Sequence, residues 1–100
     1  MLILIPMNSD DVNEATIASV SDANIWAQLR IEEGELVEVL HNEKFDGFQP
    51  WSEAVVVNSD SENVMDFFNM SMMVLVAHTQ KTIDDIVEAY LFRELHDLAY

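Results

Sequence analysis

The chain has 100 residues, half of them apolar, and its 19 acidic and 4 basic side chains give a net charge of −15. A chain of this length and composition is typical of one small globular domain, so we expect a single domain over residues 1–100. The excess of carboxylates repels nucleic-acid phosphates and anionic lipids, so we expect no nucleic-acid partner and no membrane partner. The absence of cysteine excludes disulfides, thiolate metal ligands and cysteine nucleophiles.

The first apolar run, Leu2–Met7, predicts a strand that is covered on both faces of a sheet, because apolar residues fill consecutive positions. It is too short to cross a bilayer and no basic segment precedes it. We therefore expect neither a secretory signal nor a membrane span, and a cytoplasmic location. Residues 8–13 predict a polar loop. Residues 14–23 fit neither the helical nor the strand period and predict a loop that has room for one helical turn.

Residues 25–40 predict a β-hairpin at the edge of the sheet. Apolar and polar residues alternate in both arms, and Glu33-Gly34 lies between them, where glycine supplies the positive φ of a tight turn. One apolar and one polar face is typical of an antiparallel pair with one solvated side. Residues 41–52 contain Gly47 and Pro50 and predict an irregular connection.

The second half of the chain predicts the order strand, helix, strand, helix. Two valine-rich apolar runs, Ala54–Val57 and Met72–Ala77, indicate buried parallel strands. Between them, a short helix is predicted over residues 62–70, with Asp60 or Ser61 as its N-cap. Its expected buried stripe comprises Val64, Met65 and Phe68.

The last helix is predicted to begin at a capping box. Thr82-Ile-Asp-Asp85 has the spacing of this motif, with aspartate in place of glutamate, and acidic residues in the first turn suit the helix dipole. Apolar residues then follow helical spacing from Ile83 to Leu98. The helix is therefore expected to include His96, whose cationic form would favour a position near the C-terminus of a helix.

Three stretches of the chain resemble one known family: the opening strand Met1–Met7, the hairpin segment Ile31–Val39 and the segment Thr82–Leu95. The order of the predicted elements is similar to that of the dinitrogenase iron–molybdenum cofactor biosynthesis family, the NifX-like domains also found at the end of NifB. The resemblance implies a ribonuclease-H-like α/β fold, a three-layer domain with a mixed five-stranded sheet in the order β-β-β-α-β-α. It also implies binding or carriage of a metal-cluster precursor and no catalysis.

The ligand motif of the family is degraded in this chain. Members usually carry a His-Phe-Gly-Arg-Ala-like motif before the hairpin, where this chain has Ser19-Val-Ser-Asp-Ala23. Two loops that are usually glycine-rich, after the fourth and fifth strands, are here Asn58–Asn63 and His78–Lys81. The resemblance implies a cofactor-binding pocket at the strand ends, which would be formed by Asn8, Ser21, Asn58 and His78. Its ligand would be an iron–sulfur or iron–molybdenum cluster precursor, although no ligand residues support either, so the cofactor stays unknown.

The residues themselves indicate little catalytic or metal chemistry. The chain has no Gly-x-Ser-x-Gly elbow, no Walker loop and no nucleophile–base pair at recognisable spacing, so we expect it not to be an enzyme. His41, His78 and His96 lack the spacing of metal ligands, and no metal site is predicted from them. An oxygen-ligand cation site remains an alternative, and it would use Asp10, Asp11, Glu14, Asp22 and Asp60.

Two functions of different class stay open. The first is a small acidic binding domain that resembles the metal-cluster carriers. The second is a protein–protein interaction module that keeps the fold without the ligand, and that binds a protein partner or forms a homo-oligomer. The segment Phe45–Trp51 bears on this choice, because its aromatic residues could form either a lid over the sheet or an exposed interface patch.

Overall fold

The computed structural model describes residues 1–48 and 51–98, and these residues form an α/β domain. In chain order, the elements are β1 (Leu2–Met7), a 3₁₀ turn (Val20–Asp22), β2 (Ile25–Glu32), β3 (Glu35–Asn42), β4 (Ala54–Val57), α1 (Met65–Asn69), β5 (Met73–Val76), α2 (Ile83–Leu91) and β6 (His96–Asp97). No helix in this described part of the chain has the length and apolar character needed to span a bilayer.

The strands form one mixed sheet in the order β3-β2-β1-β4-β5-β6. β1, β4 and β5 run parallel to one another, whereas β2, β3 and β6 are antiparallel to their neighbours. The mixed α/β sheet is thus confirmed, but the five-stranded ribonuclease-H-like order is wrong, because a sixth strand adds to one edge. Residues 96–97 form this strand by pairing with β5.

The core lies on both faces of the sheet. On one face, strand residues Ile3, Ile5, Leu29 and Val56 pack with Ile83 and Ile86 of α2. On the other face, strand residues Leu4, Trp26, Val55 and Val74 pack with Phe67 of α1 and with Phe48, which follows β3. Consecutive residues of β1 therefore enter opposite clusters, which explains why its sequence is apolar throughout and confirms its expected central position.

The hairpin forms as predicted. Glu33 and Gly34 both have positive φ, at 52° and 80°, which matches the twist of a two-residue turn between β2 and β3. The register shifts between Arg30 and Ile31, and beyond this bulge the pairing is regular as far as Asn42. β3 occupies the edge of the sheet, as the alternating pattern indicated.

Helix α1 is shorter than predicted and has no side-chain cap. Its N-cap position is Val64, and the predicted N-cap residue Ser61 is instead engaged within the preceding loop, where its backbone N–H donates to Ser59 Oγ. Val64 is buried as expected, but Met65 is exposed and Phe67 takes the buried position. Phe68, the third expected member, is half-buried against the same cluster, so the expected stripe is partly wrong.

The capping box of α2 is confirmed. The backbone N–H of Asp85 donates to Thr82 Oγ1 at 3.1 Å, and the backbone N–H of Thr82 donates to Asp85 Oδ2 at 3.4 Å. The predicted extension of the helix to residue 98 is wrong. The helix ends at Leu91, and Arg93 has a φ of 59°. His96 therefore lies in an edge strand and not in a helical turn.

Both helices end in a Schellman motif without glycine. After α2, the N–H of Glu94 donates to the carbonyl of Ala89 at 2.8 Å, and the N–H of Arg93 donates to that of Tyr90. After α1, Ser71 has a φ of 62° and occupies the equivalent position. Residues with a Cβ atom are strained in this left-handed conformation, so each helix ends at some energetic cost.

Replacing the strained residue after α2 by glycine should stabilise the protein. Arg93→Gly is expected to raise the free energy of unfolding by about 0.5 to 1 kcal/mol, because relief of the left-handed strain exceeds the entropy that glycine adds to the unfolded chain. Urea denaturation followed by circular dichroism measures this change. Arg93→Ala is the control, since it removes the same charge and stem but keeps the Cβ atom. An equal gain for alanine would contradict the explanation.

Candidate functional site

The carboxyl edge of the sheet carries all four residues that the sequence indicated for a cofactor site. Asn8, Asn58 and His78 directly or closely follow β1, β4 and β5, which are parallel and therefore end at the same edge. Ser21 lies in the 3₁₀ turn just before β2, which is antiparallel to β1 and so begins at this edge. The sequence thus predicted the edge correctly, whereas a binding role for these residues stays a prediction.

The structure does not gather these four residues around one pocket. A pocket of about 470 Å³ opens at this edge, between the 3₁₀ turn and the loop that leads from β4 to α1. Its lining consists of Val20, Ser21, Ser61, Glu62, Asn63 and Asp66. Ser21 is the one member of the predicted set in this lining.

Asn8 is occupied by hydrogen bonds within its own loop. Its side-chain amide donates to Thr16 Oγ1 at 2.9 Å, and its side-chain carbonyl accepts the backbone N–H of Thr16 at 3.0 Å. Its backbone carbonyl accepts a further bond from the side chain of Asn24. Asn8 therefore shapes the loop after β1, and these contacts engage the groups that a ligand would need.

His78 is exposed and lies beside His96. The two ring centroids are 5.9 Å apart, because β6 pairs with β5 so that His96 is opposite Val76. Within residues 1–48 and 51–98, no group of three or more histidine, aspartate or glutamate side chains is close enough to hold a metal ion. The alternative cation site is not assembled either, and Asp11 instead accepts the backbone N–H groups of Asn13 and Glu14.

Glu62 joins the two loops that form the pocket. Its Oε2 atom accepts the backbone N–H of Val20 at 2.7 Å, across 42 positions of sequence. Ser59 supports the same loop, since its Oγ lies 2.7 Å from Ser61 Oγ and accepts the backbone N–H of Ser61. A carboxylate thus holds together two segments for which the family resemblance led us to expect a histidine–arginine motif and a glycine-rich loop.

The pocket offers oxygen groups and negative charge. Carboxylates of Glu62 and Asp66, hydroxyls of Ser21 and Ser61 and the amide of Asn63 line it, and the lining contains no lysine or arginine. Carboxylates accept hydrogen bonds and attract cations, so this chemistry suits a ligand with N–H groups or positive charge. The loop that contains Glu62 was singled out from the sequence, but Glu62 itself was not. Asp66 lies in α1, and nothing in its local sequence indicates that it lines a pocket.

The aromatic segment after β3, Phe45–Trp51, has aromatic residues that cover the sheet and one exposed aromatic residue. Phe45 contacts Trp26 and Phe67, with ring centroids 5.7 and 5.3 Å apart, and Phe48 is buried in the same cluster. These residues cover one face of the sheet, as the lid interpretation predicted. Trp51 differs, because 57% of it is exposed. Residues 49–50, which are part of the predicted segment, lie outside the described residues.

Removing the Glu62 carboxylate should loosen the pocket. Glu62→Ala is expected to lower the free energy of unfolding by about 1 to 2 kcal/mol, because the partly buried N–H of Val20 loses its acceptor. Denaturant titration measures the loss, and the amide resonance of Val20 should shift in NMR spectra. Asp60→Ala removes a carboxylate from the same loop and should cost under about 0.5 kcal/mol. Equal losses for the two variants would refute this role of Glu62.

Comparison with known proteins identifies the fold. No protein-family model matches the chain, and no curated protein matches it either. Among solved structures, PH0822 is 16% identical with a TM-score of 0.72, and the match covers 98% of this chain and 96% of that one. The Methanocaldococcus jannaschii protein MJ0327, described provisionally as a dinitrogenase, is 17% identical with a TM-score of 0.73, covering 99% and 95%. At this level of identity the likeness shows architecture alone, so the chain has the fold of these two proteins over nearly their whole length.

Proposed function

We propose that this chain is a small, acidic, non-enzymatic binding domain whose ligand occupies the pocket between the 3₁₀ turn and the loop after β4. The position of the pocket is the observation that carries the proposal. The chain that leaves β1 continues to β2, toward one edge of the sheet, whereas the chain that leaves β4 continues to β5, toward the opposite edge. The direction of the connections therefore reverses between β1 and β4. Ligands of open α/β sheets bind at such a switch point, outside the carboxyl ends of the strands.

The lining favours a ligand that carries amine or guanidinium groups. Two carboxylates and two hydroxyls face a pocket of about 470 Å³, which is large enough for a small organic molecule. The net charge of −15 adds a long-range attraction for cations and a repulsion for anions. The same charges disfavour an anionic metal cluster in this pocket.

The resemblance to metal-cluster carriers therefore extends to the fold, with an altered ligand. The MJ0327 description and the sequence resemblance both point toward dinitrogenase-related proteins. In the described part of the chain, however, no three metal-ligating side chains come together, and the pocket presents carboxylates where a carrier of an anionic precursor would use glycines or cations. We infer that the binding edge was kept while its ligand chemistry changed.

NMR titration tests the charge preference of the pocket. Agmatine, which carries both an amine and a guanidinium group, should shift the amide resonances of residues 20–22 and 61–66 in a saturable manner at physiological ionic strength. Glutamate, as an anionic probe, should leave these resonances unchanged. Shifts spread evenly over the acidic surface would instead indicate unspecific ion binding and would overturn the proposed site.

A matched pair of charge variants separates the pocket from the surface. Asp66→Asn removes a carboxylate from the pocket lining and is expected to weaken agmatine binding by about three- to tenfold, the loss of one charge-assisted hydrogen bond. Asp84→Asn makes the same change in the first turn of α2, outside this lining, and should leave the affinity within about twofold. Equal weakening by both variants would contradict a defined site.

Incubation with ferrous iron and sulfide under reducing conditions tests cluster binding directly. We expect the protein to emerge colourless from gel filtration, because the lining has neither the thiolates nor the imidazoles that hold iron–sulfur clusters. A visible chromophore that co-elutes with the protein and disappears in the Asp66→Asn variant would restore the carrier function for this pocket.

An interaction module is the second candidate function, and the exposed Trp51 favours it. Large aromatic side chains that remain exposed are enriched at protein interfaces. Sedimentation velocity at low and high salt checks whether the chain self-associates, and Trp51→Ser should abolish any association through this residue. A monomer at every salt concentration would remove self-association as a function of Trp51.

A further inference from the structure

The edge strand β3 has one open side. It is the last strand in the sheet order and pairs with β2 alone. A strand directs its backbone N–H and C=O groups alternately toward its two neighbours, so about half of those groups in β3 face outward. Its eight residues, Glu35–Asn42, make it as long as β2 and much longer than β6 at the opposite edge. The β3 edge therefore exposes many more unpaired backbone N–H and C=O groups than the β6 edge.

β3 has two of the features that protect edge strands from pairing, a bulge and the charged side chains Glu35 and Glu38, but it lacks others. It contains no proline and no lysine, and its register with β2 is regular from Glu38 to Asn42. The bulge, which is at Val37 of β3, lies near the turn and leaves this five-residue stretch unbroken. Val37 and Leu40 are 51% and 41% exposed, so apolar surface accompanies the open backbone.

The hairpin is acidic beyond what its own cations neutralise. Residues 25–44 contain five glutamates and two basic residues, a net charge of −3. Arg30 lies within salt-bridge distance of both Glu32 and Glu38, at 3.8 and 3.4 Å. In the described ranges, no ion pair involves Glu35 or Glu43, so these carboxylates remain available to cations from another molecule.

The side chains around the open edge define what an added strand would need. Glu38 and Leu40 share one face of the sheet, since they are opposite Arg30 and Gln28, whereas Val39 packs into the core cluster on the other face. On the first face, lysine or arginine fits both neighbours, because its aliphatic stem covers Leu40 while its charged end reaches Glu38. On the second face, an apolar residue fits beside Val39.

We propose that β3 is a docking edge for an extended segment of a partner protein in which basic and apolar residues alternate, and that this segment adds to the sheet as a further strand. Main-chain hydrogen bonds supply the affinity and the acidic hairpin selects the sequence. A second copy of this chain is a poor occupant, because it brings the same glutamates and a net charge of −15. The edge shares no residue with the pocket lining and does not involve Trp51, so this inference goes beyond both candidate functions.

A synthetic peptide tests strand addition. A capped peptide of alternating lysine and valine, matched in length to β3, should bind the full chain at physiological ionic strength in fluorescence anisotropy. Hydrogen exchange should slow on binding at those amides of residues 38–42 that face away from β2, which attraction between charges alone does not cause. A peptide of the same sequence with alternate backbone nitrogens methylated should bind at least about tenfold more weakly, because it lacks the donors. Equal affinity of the two peptides would overturn the proposal.

Two double variants with the same change in charge locate the binding edge. Val37→Lys with Leu40→Lys should weaken peptide binding at least about tenfold, because lysines block an edge and repel the peptide. The control is Val12→Lys with Leu91→Lys, which alters two residues away from β3 that are each 39% exposed. This control should leave the affinity for the peptide within about threefold of the unaltered chain. Equal weakening of peptide binding by the two double variants would show that added charge alone causes the effect, and it would overturn β3 as the binding edge. Circular dichroism verifies that both double variants are folded. If one of them unfolds, hydrogen exchange of the unaltered chain with the peptide still tests whether β3 is the binding edge.

Sedimentation equilibrium distinguishes the other occupant. The unaltered chain is expected to be monomeric at this edge, so the Val37→Lys and Leu40→Lys changes should leave its mass unchanged. A dimer that these two changes dissociate would show that a second copy occupies β3, and the assignment to a basic partner segment would then be wrong.

Discussion

The parallel pairing of β1 with β4 holds the domain together. The sheet consists of two three-stranded halves, β3-β2-β1 and β4-β5-β6, which meet at this one junction. Contacts between the two halves lie on both faces of the sheet. In the interior, the side-chain amide of Gln28 donates to Ser52 Oγ at 3.0 Å, and Phe45 packs on Phe67. The backbone N–H of Ile17 donates to the carbonyl of Lys81 at 2.7 Å. Because each half alone would leave β1 or β4 with an open edge and uncovered apolar faces, the halves are expected to fold and unfold together.

The loops at the carboxyl edge are held by side chains in place of glycine. Asn8 secures the loop after β1, Ser59 the loop after β4, and Glu62 bridges the two segments. A glycine-rich loop exposes backbone N–H groups to anions, whereas these loops use part of their N–H groups internally and present oxygen atoms outward. The loops at this edge therefore present hydrogen-bond acceptors and carboxylates above strands that are themselves apolar.

The sequence predicted the strands better than the helix ends, for a physical reason. Runs such as Ala54–Val57 are apolar because burial on two faces requires it, and a capping box has a fixed spacing, so both can be read locally. The end of α2, however, was misplaced because the strained non-glycine residue Arg93 carries no local stop signal, and the start of α1 was misplaced because no side chain caps it. The contact between Glu62 and Val20 was missed because it spans 42 positions of sequence, and such contacts depend on tertiary structure.

The separation of β1 from β4 in the chain has a consequence for biosynthesis. Residues 8–53 lie between them, so the ribosome must add this whole stretch before the parallel neighbour of β1 exists. At typical elongation rates this takes about 2 to 9 s. During that interval β1 can pair with β2 on one side, but its other side and the apolar surface opposite Ile3 and Leu4 remain open. The nascent chain thus passes through a state that chaperones would recognise, and the high negative charge of the following segments helps to keep that state soluble.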